Sequence, residues 1–368
     1  MKTMSRAVSN NNKLNPWLDI CRAMAIMFVI VSHGRHFLTP SFPFLNSLKF
    51  TGFLGVELFF ILSGFLIGRI LINSAERNND NNFSWIRNFW ARRWIRTYPN
   101  YFVFILINIL LIYFLYGAWQ PDTYKYFVFS QALITPHPSF FAEAWSLAVE
   151  EIFYLTSPVV IWALIKLGNK PRAAILITVM IFFFLPLIAR GLVAVNTDWS
   201  FGQIRSVTLL RLDSIMIGVF VAWVYYEFPA YRKTLKSLSW LASMLFFYTI
   251  YVVSGPEKIL DDSIFYKIFL FDIANIGCAG IIVIGLNFSP HQLVNAVFSR
   301  IARWSYAAYL TNLPVYALVR KYLPLEATVA NQTIQLLVYI FFTLFSAFII
   351  YTLFERRVLI FRDKVTSR

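Results

Sequence analysis

Long apolar stretches alternate with short polar or basic segments along the 368-residue chain. A helix needs about twenty apolar residues to cross the hydrocarbon core of a bilayer. The pattern predicts an all-α polytopic membrane helix bundle of about ten transmembrane helices. A short stretch at 131–138 and Pro314 inside the ninth span leave nine to eleven spans open. The ten predicted spans are centred on 17–37, 53–72, 101–115, 145–165, 173–188, 207–225, 238–253, 265–286, 306–319 and 334–354.

The composition excludes an ordinary soluble domain. Apolar residues make up 58% of the chain and charged residues 14%, whereas soluble domains average about 45–50% and about 25%. The net charge of +15 would suit a nucleic-acid partner, but Lys and Arg are spread over the segments between spans. Cys21 and Cys278 both lie in apolar stretches, so the sequence indicates neither a disulfide framework nor a metal site.

Lys and Arg are richer in every second segment between spans, and such segments face the cytoplasm. Both termini are therefore expected in the cytoplasm, and the first span is expected to be a retained signal-anchor. The longest segment between spans is expected at 73–100. The predicted divisions are a cytoplasmic segment at 1–15, a membrane domain at 16–355 and a basic cytoplasmic tail at 356–368.

Two ionisable residues lie in the first apolar stretch. Arg22 and His33 are eleven positions apart, which brings a helix back to within about 20° and separates them by about 16 Å along its axis. Such groups are costly at membrane depth unless they face a partner or a wet cavity. The spacing favours a groove that contains Arg22 and His33 at two depths. A snorkelling Arg with an interfacial His is the simpler alternative.

Ionisable residues on three further spans are expected at the depth of His33, near the outer face. They are Glu57, Glu150, Arg211 and Asp213. This convergence indicates one polar site in the bundle. The alternative is a set of structural ion pairs, for example Arg211 with Glu57 or Glu150. Arg211 and Asp213 point to different helix faces, so each is expected to have its own partner.

Arg93 and Arg96 lie in a basic and aromatic segment on the predicted cytoplasmic side. Residues three apart share a helix face, and planar guanidinium groups bind phosphate oxygens through paired hydrogen bonds. The pair therefore suits a phosphate-bearing ligand. Topological anchoring with interfacial Trp explains the segment equally well.

Six sequence blocks occur in order over nearly the whole chain and form one pattern. They are the Arg22 and His33 pair, Gly55-Val56-Glu57 with the apolar run after it, the Arg93/Arg96 segment ending in Tyr98-Pro99, Trp145-Ser146-Leu147-Ala148-Val149-Glu150-Glu151, Ser305-Tyr306-Ala307-Ala308-Tyr309-Leu310, and Phe354-Glu355-Arg356. Together they resemble the acyltransferase-3 family of integral membrane O-acyltransferases. The chain is expected to be a membrane-domain-only member.

The resemblance implies transfer of an acyl group, usually acetyl from cytoplasmic acetyl-CoA, to a hydroxyl of an extracytoplasmic or lipid-linked glycan. It implies a multi-pass protein of the bacterial inner membrane and no metal. In family terms His33 is the catalytic residue, Glu150 is an essential acidic position, and Arg22, Arg93 and Arg96 assist the donor.

The chain departs from the family pattern at two positions. Asn312 stands where relatives often have His, and Glu57 stands where Asp is commoner. If that His assists catalysis in relatives, Asn312 does not replace it here. The supporting polar site is expected to contain Glu57, Ser63, Arg211, Asp213, Tyr306 and Asn312.

Acyl transfer to an alcohol needs a base, and a neutral imidazole suits that task. His33 is the predicted base, with Glu150 preferred over Glu57 as the acid that orients its ring. Whether His33 acts as base or is itself acylated stays open. The expected partners are acyl-CoA, a glycan or glycolipid acceptor and membrane lipids, without nucleic acid, and the oligomeric state is open.

A secondary transporter of a small polar or anionic solute is the alternative function. Transporters also place charged residues at an interface inside the bundle. The two halves of this chain show no clear internal repeat, which argues against that class.

Overall fold

The structure, a computed structural model, describes residues 15–77, 83–117, 122–138, 140–324 and 328–366. Nearly all of the predicted cytoplasmic segment at 1–15 therefore lies outside the described residues. Within those ranges the secondary structure is helical and contains no strand. The predicted all-α membrane bundle is confirmed.

Nine helical stretches in the described part of the chain are long and apolar enough to cross a bilayer. The ninth predicted span, 306–319, falls in a longer and more polar helix, α11 (Gln292–Tyr322). The apolar stretches contain α1 (Pro16–Leu38), α2 (Lys49–Arg77), α3 (Ser84–Tyr116), α4 (Ala144–Lys166), α5 (Pro171–Asn196), α7 (Leu212–Glu227), α8 (Arg232–Ser254), α10 (Ile264–Gly285) and α12 (Val329–Ile350). The shorter helices are α6 (Phe201–Ser206), α9 (Glu257–Asp262) and α13 (Arg356–Thr366).

Helix α2 lies at the centre of the bundle, in contact with α1, α7 and α10. Gly64 of α2 faces Gly218 of α7, and a Cβ at either position would overlap a backbone oxygen of the other helix. Small residues allow two helix backbones to approach closely in a membrane. This close approach brings Glu57 of α2 beside the start of α7.

Two groups of buried ion pairs join α2, α5, α7 and α10. The guanidinium of Arg211 lies 2.6 Å from the Glu57 carboxylate, and both side chains are fully buried. Arg190 of α5 contacts Asp213 at 2.5 Å and Asp272 of α10 at 2.6 Å. Of the two partners considered for Arg211, the structure thus selects Glu57, and Asp213 has a partner of its own as expected.

Two predicted boundaries are wrong. Arg190, expected between spans, lies inside α5, because the charge that seemed to end the span is neutralised by carboxylates of two other helices. The long segment expected at 73–100 is mostly helical, since α3 already begins at Ser84. The predicted start of the tail at 356 coincides with the start of α13, and residues 356–366 are helical, with Asp363 paired to Arg92 of α3 at 3.8 Å.

The ion pair between Arg211 and Glu57 gives a stability prediction. Arg211→Met should lower the free energy of unfolding by about 3–5 kcal/mol, because it leaves a buried carboxylate without its partner. Adding Glu57→Gln should restore most of the loss. Thermal unfolding in detergent measures both effects, with Arg172→Met at an exposed pair as the control. A single variant as stable as wild type would show that the pair does not hold α2 to α7.

Candidate functional site

Two neighbouring cavities lie inside the bundle, and Val56 and Tyr309 line both of them. The first, which we call the His33 cavity, has a volume of about 470 Å³. The second, the Arg22 cavity, has a volume of about 130 Å³. Helix α1 supplies His33 to one and Arg22 to the other. The two residues therefore lie at two depths, as predicted. They line two neighbouring cavities and not one continuous groove, and Arg22 lies in the second cavity.

His33 is held by Asn312 of α11. The imidazole Nδ1 lies 2.5 Å from Oδ1 of Asn312. The Asn312 side-chain amide donates its own hydrogen bond to the Tyr309 carbonyl at 2.5 Å. Because that bond fixes Oδ1 as the oxygen facing the ring, Nδ1 of His33 is the donor and carries the proton in the neutral ring. Nε2 then has the free lone pair that a general base needs.

Glu143, immediately before α4, supplies a carboxyl group to the His33 cavity. Its Oε1 accepts a hydrogen bond from the backbone N–H of Leu313 at 3.3 Å. Its Oε2 is buried and has no hydrogen-bond partner among the described residues. Burial raises the pKa of Glu143 to about 8. The sequence analysis missed Glu143, although an acidic residue two positions before the Trp145 block was a usable signal.

Arg205 of α6 is a second residue of this cavity that the sequence analysis missed. Its guanidinium lies 5.0 Å from the ring centres of both Phe53 and Trp145 and donates to the Gly52 carbonyl at 3.2 Å. Within the described ranges no carboxylate oxygen lies within 4.0 Å of it. Burial lowers the pKa of Arg205 to about 10, so it remains charged at neutral pH.

Three arginines converge on the Arg22 cavity: Arg22 of α1 with Arg93 and Arg96 of α3. Arg22 also contacts Asp19 at 3.3 Å, and the guanidinium of Arg93 lies 5.7 Å from the ring centre of Tyr154. The predicted common face of Arg93 and Arg96 is thus present. A helix, rather than a loop, carries both side chains.

Polar groups of three other helices complete the Arg22 cavity. The Tyr154 hydroxyl donates to the Glu150 carboxylate at 3.1 Å and also bonds the Ser63 hydroxyl. The Tyr306 hydroxyl donates to the Thr97 carbonyl at 2.8 Å. Ser63 and Tyr306 therefore belong to the arginine side of the site.

The predicted pairing of Glu150 with His33 is wrong, because Glu150 lies in the Arg22 cavity. Helix α4 begins beside His33, and Glu150 follows Glu143 by seven residues, or about 10 Å along the axis. Glu57, the other candidate, is fully buried against Arg211 and lines neither cavity.

The single outer polar site predicted from four helices is therefore only partly right. Arg211 and Asp213 belong to the buried ion pairs, apart from the residues that line the two cavities. Asn312 is the predicted supporting residue that touches His33.

Fold and site define a multi-pass membrane protein with a histidine in one cavity and three arginines in the adjoining one. The chain belongs to the family described as acyltransferase domain, which matches residues 15–352. The family predicted from the six sequence blocks is confirmed.

Relatives named as O-acetyltransferases match most of the chain. Peptidoglycan O-acetyltransferase OatA of Listeria monocytogenes is 26% identical over 349 residues, which cover 86% of this chain and 51% of that protein. O-acetyltransferase OatA of Staphylococcus aureus is 26% identical over 344 residues, 83% of this chain and 51% of the relative. The chain thus spans about half the length of these relatives. No solved structure gives a significant match.

Proposed function

We propose that this protein is a membrane O-acyltransferase that moves an acetyl or other short acyl group from cytoplasmic acyl-CoA to a hydroxyl of an extracytoplasmic or lipid-linked glycan. The observation that carries the proposal is the pair of cavities lined in common by Val56 and Tyr309. One cavity offers cations for a phosphate-bearing donor. The other offers a base for a hydroxyl.

The donor end of the reaction belongs to the Arg22 cavity. Acyl-CoA carries phosphate groups, and guanidinium groups bind phosphate through paired hydrogen bonds. A cavity of about 130 Å³ is too small for the nucleotide, since pockets that enclose drug-sized ligands have about 300–1,000 Å³. The nucleotide therefore stays at the mouth beside Arg93 and Arg96, and the narrow pantetheine arm extends past Arg22. The arm must cover the distance of about 16 Å that separates Arg22 from His33 along α1.

The acceptor end belongs to the His33 cavity. Nε2 of His33 removes the proton of the acceptor hydroxyl while the hydroxyl oxygen forms a bond to the thioester carbonyl carbon. The bond from carbon to sulfur then breaks, and the thiolate of CoA takes up the proton from the imidazolium. Oδ1 of Asn312 accepts the hydrogen bond from Nδ1–H of His33 throughout the reaction and so keeps Nε2 directed at the cavity. Enclosure by the bundle limits hydrolysis of the thioester.

The distribution of basic residues supports cytoplasmic termini, which would place the Arg22 cavity toward the cytoplasm and the His33 cavity toward the outer face. A bacterial plasma membrane is the setting that such a reaction requires, with CoA on one side and glycan on the other. The Listeria relative is named for peptidoglycan. A cell-envelope glycan is accordingly the acceptor class that we favour.

His33→Ala should reduce acyl transfer by about 100-fold or more, because a positioned general base contributes about 10²–10⁴-fold to the rate. Incorporation of radiolabel from acetyl-CoA into the glycan fraction of membranes containing the protein measures it. His291→Ala, at the exposed start of α11, is the matched control. Undiminished incorporation by well-folded His33→Ala would remove His33 from the reaction. Solute uptake without any incorporation would favour the transporter.

Arg93→Lys and Arg96→Lys should each raise the KM for acetyl-CoA by about tenfold and change kcat little, because an ammonium keeps the charge but lacks the planar fork. Arg92→Lys is a matched control on the same helix, since Arg92 bonds Thr366 and does not line the cavity. If Arg93→Lys and Arg96→Lys keep the wild-type KM, as Arg92→Lys should, the two arginines serve only as topological anchors.

A further inference from the structure

His33 has an unusual support for a general base, because its orienting partner is a neutral amide. Asn312 fixes the ring but carries no charge, whereas the orienting partner in a catalytic triad is a carboxylate. A carboxyl group does lie next to this pair. Glu143 lines the cavity with His33 and is bonded to the backbone next to Asn312.

The start of α4 and residues 309–313 of α11 are tied together around Asn312. The Tyr309 hydroxyl bonds the Ser146 hydroxyl at 2.6 Å and donates to the Glu143 carbonyl at 3.3 Å. The Glu143 carboxyl accepts from Leu313, and Asn312 donates to the Tyr309 carbonyl. Asn312 thus lies between two residues that α4 holds. Glu143 is therefore bonded to the residue next to the one that holds the ring of His33.

The second carboxyl oxygen of Glu143 takes no part in these contacts. Oε2 is buried and lacks a hydrogen-bond partner among the described residues, and the whole residue is 4% exposed. A buried polar atom without a partner is destabilising, because it loses its hydrogen bonds to water. Such an atom in the wall of a cavity is explained if the ligand supplies its partner.

We propose that Glu143 positions His33 through Leu313 and Asn312 and that its second oxygen donates a hydrogen bond to the acyl carbonyl oxygen under attack. The proposal rests on the proposed function of the cavity. Negative charge develops on that carbonyl oxygen when the hydroxyl adds, and a fixed donor stabilises it. The proton stays on Glu143 throughout, so the overall reaction is unchanged.

A carboxyl group can donate only when it is protonated. With its pKa raised to about 8 by burial, Glu143 is neutral at pH 7 and loses its proton as the pH rises through 8. Acyl transfer should therefore decline above pH 8. Other ionisable groups also face Glu143: His33, Arg35, His36, Lys49, Arg205, Glu257, Asp261 and Tyr309 line the same cavity, and Tyr339 lies close behind.

The test compares Glu143→Gln with Glu143→Ala over pH 6–10, with acetyl-CoA and the membrane glycan fraction as substrates. Gln keeps an oxygen for Leu313 and an N–H for the carbonyl. It should retain activity within about tenfold and lose the decline above pH 8. Ala should lose about 100-fold or more in kcat. Glu227→Gln, at a distant pair with Arg172, is the control and should match wild type.

A second measurement is independent of turnover. Nitrogen NMR of histidine-labelled protein, which has four histidines, reports the tautomer of His33 once its signal is assigned. Wild type and Glu143→Gln should show the proton on Nδ1, and Glu143→Ala should show a mixture. This readout remains informative if wild type transfers no acyl group, which would contradict the proposed function instead.

Three results would overturn the role of Glu143. One is a Gln variant as inactive as the Ala variant, and another is a Gln variant with the alkaline decline unchanged. The third is an Ala variant that has both wild-type transfer and an unaltered His33 tautomer. Thermal unfolding of each variant separates a failure to fold from a loss of function.

Discussion

A charged group inside this bundle must be paired or must face a cavity, because the hydrocarbon around it offers no solvation. That constraint divides the buried charges into two sets. Arg190, Arg211 and their carboxylate partners are buried and bind α2, α5, α7 and α10 to one another. A second set of charges lines the two cavities, where a ligand can reach them. The proposed chemistry depends on this division, since the ion pairs hold together the helices that surround the cavities.

Two helices set the geometry of the open half. Helix α1 supplies Arg22 and His33. Helix α4 supplies Glu150, and Glu143 immediately precedes α4, so that each cavity receives one member of each pair. In the proposed reaction, the separation of the donor phosphates from the reacting hydroxyl is therefore set by the rise of an α-helix. Both helices contact α2, which contributes Val56 to the two cavities. A long and narrow CoA arm fits that spacing, whereas a compact solute would need only one of the cavities.

Periodicity within a single helix was predictable from the sequence, and contacts between distant helices were not. The apolar pattern predicted the spans, the eleven-residue spacing predicted the placement of Arg22 and His33, and the three-residue spacing predicted the common face of Arg93 and Arg96. The burial of Arg190 depends on Asp272, 82 residues away. The partner of His33 is 279 residues away. The depth of Glu150 depends on where α4 begins relative to α1, which hydropathy does not give.

In the proposed reaction, donor and acceptor reach one reaction centre from opposite faces of the membrane. The most direct test of this arrangement uses sealed vesicles in which the protein has a single orientation, verified with an impermeant thiol reagent at Leu167→Cys, a position 79% exposed at the predicted cytoplasmic end of α4. Labelled acetyl-CoA is supplied only on the face where Leu167→Cys reacts. The account predicts that labelled glycan appears on the other face and that the label is lost in His33→Ala. Label confined to acceptors on the face that receives acetyl-CoA would contradict it.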